Sequence, residues 1–188
     1  MADVKNLTVR YGRTIVLDRF SAHFPDGAVT AISGRSGCGK TTLLSVILGL
    51  LRPASGQVSG FGVSAAVFQE DRLLPHLTAV KNITVTSACT DRAAQDALLQ
   101  VGFDPQDLEK TASALSGGMA RRVAIVRAML AKSDTVILDE PFKGLDDATR
   151  AQVLRFVREN RRGRTLILVT HDLQDPADLG AAHQIQMG

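Results

Sequence analysis

The stretch Gly34-Arg35-Ser36-Gly37-Cys38-Gly39-Lys40-Thr41-Thr42 has the residue types and spacing that phosphate chemistry needs. Gly34, Gly39, Lys40 and Thr41 stand at the fixed positions of the pattern G-x-x-x-x-G-K-[ST]. Glycines let successive backbone N–H groups curl around anionic oxygens, and a helix start directly after them adds partial positive charge. Lys40 has the reach for β- and γ-phosphates, and the Thr41 hydroxyl suits Mg²⁺. A second chemical group is the pair Asp139-Glu140, which follows an apolar run at 135–138. Asp139 suits a magnesium site through water, and Glu140 suits a general base for an attacking water. Alone, two acids after a strand make an ordinary solvated turn; paired with Lys40 and Thr41, the catalytic reading dominates. Third, Leu115-Ser116-Gly117-Gly118-Met119 opens a helical pattern that reaches 131 and carries Arg121, Arg122 and Arg127. Serine is a favoured N-cap, so this start reads equally as a plain capped helix or as a second anion site.

Three kinds of element must position these groups. Residues 28–33 form an apolar run with β-branched members, which predicts a buried strand entering the glycine loop. Residues 43–51 after the loop are apolar all round, which predicts a buried helix. Upstream, 4–11, 15–17 and 19–24 read as short strands closed by Pro25-Asp26-Gly27, an antiparallel patch. Residues 57–62 read as a glycine-punctuated connection, and 65–68 as a buried strand that ends at Gln69. Between 70 and 114 the chain turns helical, with helices expected at 79–86 and 92–101. Strand 135–139, helix 147–160 and a last strand at 165–170 complete an alternation that predicts a largely parallel α/β sheet.

Composition narrows the class. With 188 residues, 45% apolar and 22% charged, the chain has enough material for one well-buried domain. A net charge of +3 serves solubility and makes no argument for nucleic acid. Charged or polar residues interrupt every apolar stretch before it could span a bilayer, and the first residues lead into a strand pattern without a signal-peptide core. Cys38 and Cys89 are too few for a disulfide framework or a zinc site, which points to a reduced, cytosolic compartment.

Taken together, these residues resemble the ATP-binding cassette family, the nucleotide-hydrolysing subunits of membrane transporters, over residues 4–171. Tyr11 corresponds to the aromatic on which adenine stacks, 34–42 to the Walker A loop, Gln69 to the Q-loop glutamine and 115–118 to the signature motif. Residues 136–140 correspond to Walker B with its catalytic glutamate, 144–146 to the D-loop, and His171 to the switch histidine that senses the γ-phosphate. A lone Tyr11 or His171 would be ordinary packing or surface chemistry; the ordered context supplies their roles.

The resemblance implies a P-loop NTPase core, a small antiparallel β subdomain and a helical insertion within one nucleotide-binding domain over 1–188. Core and β lobe are expected at 1–69 and 133–188, and the helical lobe at about 70–132. Nucleotide contacts fall to Tyr11, Gly34, Ser36, Gly37, Cys38, Gly39, Lys40, Thr41 and Thr42, and across a dimer to Ser116, Gly117 and Gly118. Thr41, Gln69 and Asp139 are the implied metal ligands, with Glu140, His171, Gln69 and Lys40 the catalytic group. Two copies would pair head to tail around two ATP with Mg²⁺ and drive integral membrane permease subunits from the cytoplasmic face. Residues 67–78 look most like importers of nitrate, sulfonate, taurine or thiamine precursors, which also implies an external solute-binding protein. Four departures stand out: Met119 for the usual glutamine, Lys143-Gly144 where a Ser-Ala pair is usual, a short connection over 57–65, and an early end after His171 that leaves no room for a C-terminal regulatory domain. A cassette ATPase unconnected to transport shares the pattern, but the single cassette and the importer-like 67–78 argue against it. A regulatory module with little hydrolysis is opposed by the presence of both Glu140 and His171.

Overall fold

The computed structural model describes residues 1–188. Two compact units emerge: Met1–Ser64 with Ser133–Asp139 and Gly163–Gly188, and Ala65–Lys132 with Glu140–Arg162.

The first unit holds two sheets. Strands β1 (Ala2–Tyr11), β2 (Thr14–Phe24) and β4 (Ser55–Ser59) form an antiparallel sheet in the order β2-β1-β4. Alternation along β1 buries Val4, Leu7 and Val9, and Phe24 at the end of β2 meets Phe61 edge to face at 5.2 Å. Strands β3 (Val29–Gly34), β6 (Thr135–Asp139), β7 (Thr165–Val169) and β8 (His183–Met187) are parallel, in the order β6-β7-β3-β8. Every residue of β6 and β7 is buried, as a parallel strand covered on both faces requires. Their register is unbroken. Asp139 pairs with Val169, Val169 with Ile32, and Gly34 with Met187, so the chemistry-bearing ends of β3, β6 and β7 finish at one edge. In open α/β sheets that edge is where ligands bind. Helix α1 (Lys40–Ile47) and the single-turn helix α6 (Asp175–Asp178) complete this unit.

Four local expectations change. Residues 15–17 and 19–24 belong to one strand, β2, interrupted by a bulge. The step from Leu7 to Val9 faces a longer step from Phe20 to Leu17, with Arg19 at φ 46 and its N–H donating to Thr8 Oγ1. Residues 57–59, expected as connection, fall in β4, where backbone pairing to β1 outweighs a sequence too exposed to show alternation. The first helix stops at Ile47: Gly49 at φ 69 provides the left-handed exit, and Leu50 beyond it is exposed. A further strand, β8, follows the one expected to be last; Gln184 and Gln186 mask it, with only Met187 buried.

The second unit is helical apart from most of β5 (Ser64–Val67). It contains α2 (Ala79–Thr84), α3 (Asp91–Gln100), α4 (Gly117–Leu130) and α5 (Asp147–Asn160). Threonine caps start α2 and α3, where Thr78 and Thr90 accept from the N–H of Lys81 and Ala93. The apolar face of α3, Ala94, Ala97 and Leu98, is buried as its spacing predicts. Asn82 shapes the loop ahead of α2. Its Oδ1 accepts from the Leu74 N–H at 2.7 Å, and its Nδ2 donates toward the carbonyls of Leu74, Leu77 and Thr78 at 3.0–3.2 Å. At 1% exposure, no water can replace those bonds. Asn82→Ala is therefore expected to destabilise the chain by about 1–3 kcal/mol, the scale of stranded buried polar groups, as read from the urea unfolding midpoint.

Candidate functional site

The phosphate loop is held open by its own lysine. Lys40, the first residue of α1, is 8% exposed, and its Nζ donates to the Gly34 carbonyl at 2.8 Å and the Arg35 carbonyl at 3.0 Å. The Cys38 Sγ lies 3.9 Å from the same ammonium. Two glycines make this arch possible. A Cβ on Gly34, at φ 153, would stand 2.1 Å from the Met187 carbonyl oxygen of β8. One on Gly39, the α1 N-cap at φ 100, would meet the Leu17 Cδ2 at 2.9 Å. Ser36 and Gly37 form the exposed tip, while Cys38 and Thr42 are half-buried. Backbone N–H groups at a glycine arch over a helix start suit phosphate oxygens.

On the same unit, the exposed Thr41 places its Oγ1 3.5 Å from Asp139 Oδ2, and Asp139 is 4% exposed. A hydroxyl and a carboxylate are hard oxygen donors, and no group of three His, Cys, Asp or Glu is assembled anywhere in the chain. Such a sparse set fits Mg²⁺, which keeps waters and phosphate oxygens as its remaining ligands. Glu140 follows with φ 50, a left-handed conformation seldom adopted by a residue with a Cβ. Strain of this kind concentrates at functional positions. His171, just past β7, lines a cleft of about 400 Å³ together with Gly34, Arg35, Asp172 and Gln186. The fold thus brings His171 and the start of the phosphate loop to one cavity. Beneath it, Thr170 Oγ1 donates to Asp175 Oδ2 at 2.6 Å and accepts from the Asp172 N–H, which fixes the turn carrying His171. Tyr11 ends β1 at 53% exposure, available for stacking.

In the second unit Ser116 is the N-cap of α4, accepting from the Met119 N–H at 3.3 Å. Gly117 follows, and a Cβ there would meet nothing within 4 Å. The chain itself does not demand a glycine at this position, so the cleared space lies on the outer side. Gly118 approaches Leu145 and Gly144, which ties the helix start to the segment 144–146. The arginines of α4 are not offered to an anion there. Arg121 donates to the carbonyls of Phe68 and Gln69, Arg127 to those of Asp71 and Arg72, and Arg122 to Val101, Gly102 and Gly118. The sequence marks these arginines but not their inward use, which depends on carbonyls supplied by 68–72 and the end of α3. Desolvation lowers the pKa of Arg122, opposed by nearby Asp146, Asp104 and Asp107. Asp146 caps α5, accepting from the Thr149 N–H at 2.9 Å and its hydroxyl at 2.7 Å, and those bonds hold its carboxyl below the ordinary carboxylate range.

A glycine arch between a parallel strand and a helix, with its lysine, hydroxyl and carboxylate assembled, defines a P-loop nucleotide-binding domain. A family profile described as "ABC transporter" matches residues 17–143. The chain is 38% identical over 180 residues to the aliphatic sulfonates import ATP-binding protein SsuB 3 of Paraburkholderia xenovorans, covering 94% of this chain and 72% of that one. It is 36% identical to the thiamine import ATP-binding protein ThiQ of a Jannaschia species, covering 93% and 84%. Among solved structures, the dimeric ATP-binding cassette MJ0796, in a post-hydrolysis state bound to ADP and Pi, superposes with a TM-score of 0.88 at 25% identity, over 100% of this chain and 94% of that one. The chain belongs to the ABC transporter family and is an ATP-binding ATPase of that family.

Two outcomes test the geometry. Lys40→Ala removes the cation that arches the loop, so ATP affinity and turnover are expected to fall together, affinity by about tenfold or more. Calorimetry and phosphate release check this, and unimpaired hydrolysis would remove the assignment. For Asp146, a lowered pKa means its capping contribution is present above the ordinary carboxylate value and is lost as pH falls through the lowered one. Asp146→Asn is expected to flatten the melting temperature across about pH 2–5, a range in which the wild type should decline.

Proposed function

We propose that the chain is the ATP-hydrolysing subunit of a membrane importer, acting as a head-to-tail dimer on the cytoplasmic face. The observation that carries this reading is the assembled phosphate site, with Lys40 on the loop carbonyls and Thr41 Oγ1 3.5 Å from Asp139. Lys40 and the loop N–H groups bind the β- and γ-phosphates, and Tyr11 stacks on adenine through its exposed ring. Thr41 and Asp139, with Gln69, hold Mg²⁺, which neutralises charge on the phosphate oxygens when bound. Glu140 takes a proton from the attacking water as its oxygen bonds to the γ-phosphorus and the bond to the β-phosphate bridging oxygen breaks, leaving ADP and phosphate. His171 contacts the γ-phosphate from its cleft beside Gly34. Ser116, Gly117 and Gly118 bind the nucleotide of the second copy, for which the open side of Gly117 leaves room.

The import names of the relatives support uptake, and the dimeric cassette among similar structures supports self-pairing. No helix is long and apolar enough to cross a membrane. The permeation path is assigned to integral membrane partners, which the relatives' import names support, with an external solute-binding protein delivering cargo. The loop braced by Asn82 leaves Leu74 exposed and supports docking to such a partner.

Glu140→Gln keeps shape while removing the base, so ATP is expected to accumulate unhydrolysed and hold the dimer closed by mass action. Ser116→Arg on that background should return it to monomer with ATP binding retained, because its own phosphate loop is untouched. Light scattering with and without ATP reads both. A monomeric Glu140→Gln chain at saturating ATP, alone and with its membrane partner, would overturn the shared-site reading.

A further inference from the structure

The segment 68–72 has no helical or strand pairing of its own, yet arginine side chains tether it closely. Four of its five main-chain oxygens accept from one helix. Arg121 Nη1 donates to the Phe68 carbonyl at 2.7 Å, its Nη2 to the Gln69 carbonyl at 2.5 Å, and its Nε lies 3.1 Å from Asp71 Oδ1. Arg127 Nη2 donates to the Asp71 carbonyl at 2.8 Å and its Nη1 to the Arg72 carbonyl at 2.9 Å. Arg72 in turn lays its guanidinium 3.8 Å above the Phe68 ring. A guanidinium is a rigid planar fork, so three partners on Arg121 are fixed relative to one another and to the helix. Arg127 lies six positions beyond Arg121 on α4, about 9 Å along the axis, enough to grip the loop at both ends. The N-cap of the same helix is Ser116, about 7.5 Å from Arg121 along the axis.

We propose that Arg121 is a positioning residue which, with Arg127, makes the Gln69 loop and the Ser116 helix start one rigid body. A ligand or partner that displaces Gln69 must then move Ser116 with it. The relay rests on the roles proposed above for Gln69 and Ser116. Satisfying stray carbonyls alone would not need the fork: a lysine could donate to the same oxygens, but without fixing their mutual geometry.

Hydrogen–deuterium exchange on the full chain, with and without ATP, tests this beside steady-state kinetics. In the wild type, ATP should slow exchange in the phosphate loop and shift 69–72 and 117–120 together. In Arg121→Lys the phosphate-loop protection and the KM for ATP should stay within about twofold of wild type. Exchange at 69–72 should rise and no longer follow 117–120, and kcat should fall about tenfold or more, as small misplacements do. Wild-type kcat with the two segments still moving together would overturn the proposal. Absence of phosphate-loop protection in the wild type itself would instead overturn the ATP-site reading, and the relay with it. If Arg121→Lys does not fold, Arg127→Lys loosens the same loop at its other end and is read by the same outcomes.

Discussion

A buried ammonium bonded to its own loop is the interaction on which the phosphate site depends. Lys40 lies buried at the start of α1 and finds its partners in the carbonyls of Gly34 and Arg35. An uncompensated charge at that depth would be expensive, so the loop must keep those oxygens turned inward. Its N–H groups are left for the opposite direction. The parallel register then places Asp139 at the same edge, close enough to Thr41 for a hydroxyl and a carboxylate to share a hard cation.

The second unit uses the same device with arginine. Segments lacking a strand or helix partner expose carbonyls that must be satisfied, and α4 meets them at 68–72 and at the end of α3. Asp71 shows the cost of this arrangement. Burial raises its pKa, while Arg121 and Arg127 pull it down. Charge–carbonyl contacts thus do in irregular chain what ladders do in sheets, and they leave side chains such as that of Gln69 free for other work.

Much of this was legible in sequence because the informative residues are punctuators. The glycine arch, the strand 135–139, the α3 face and the Ser116 cap each announce themselves by residue type or period. Three kinds of feature did not. Strand β8 hides behind exposed glutamines, since an edge strand needs little apolar pattern. The bulge at Arg19 splits β2 on paper, because one extra residue breaks the alternation that the hydrogen bonds survive. The inward turn of Arg121 and Arg127 is a tertiary fact: on α4 alone, an arginine facing solvent and one gripping a carbonyl look the same. The site residues were read through their order along the chain, whereas the proximity of His171 to Gly34 came only from the register of β3, β7 and β8.

The left-handed backbone at Glu140 has an evolutionary edge to it. A glutamate held at φ 50 is a poor choice for folding alone, since asparagine or glycine would relax there. Laboratory selection for heat resistance without a demand for turnover would therefore be drawn to this position. It would trade the carboxylate for a residue that suits the turn. Glutamate persists here only while something outside stability insists on it.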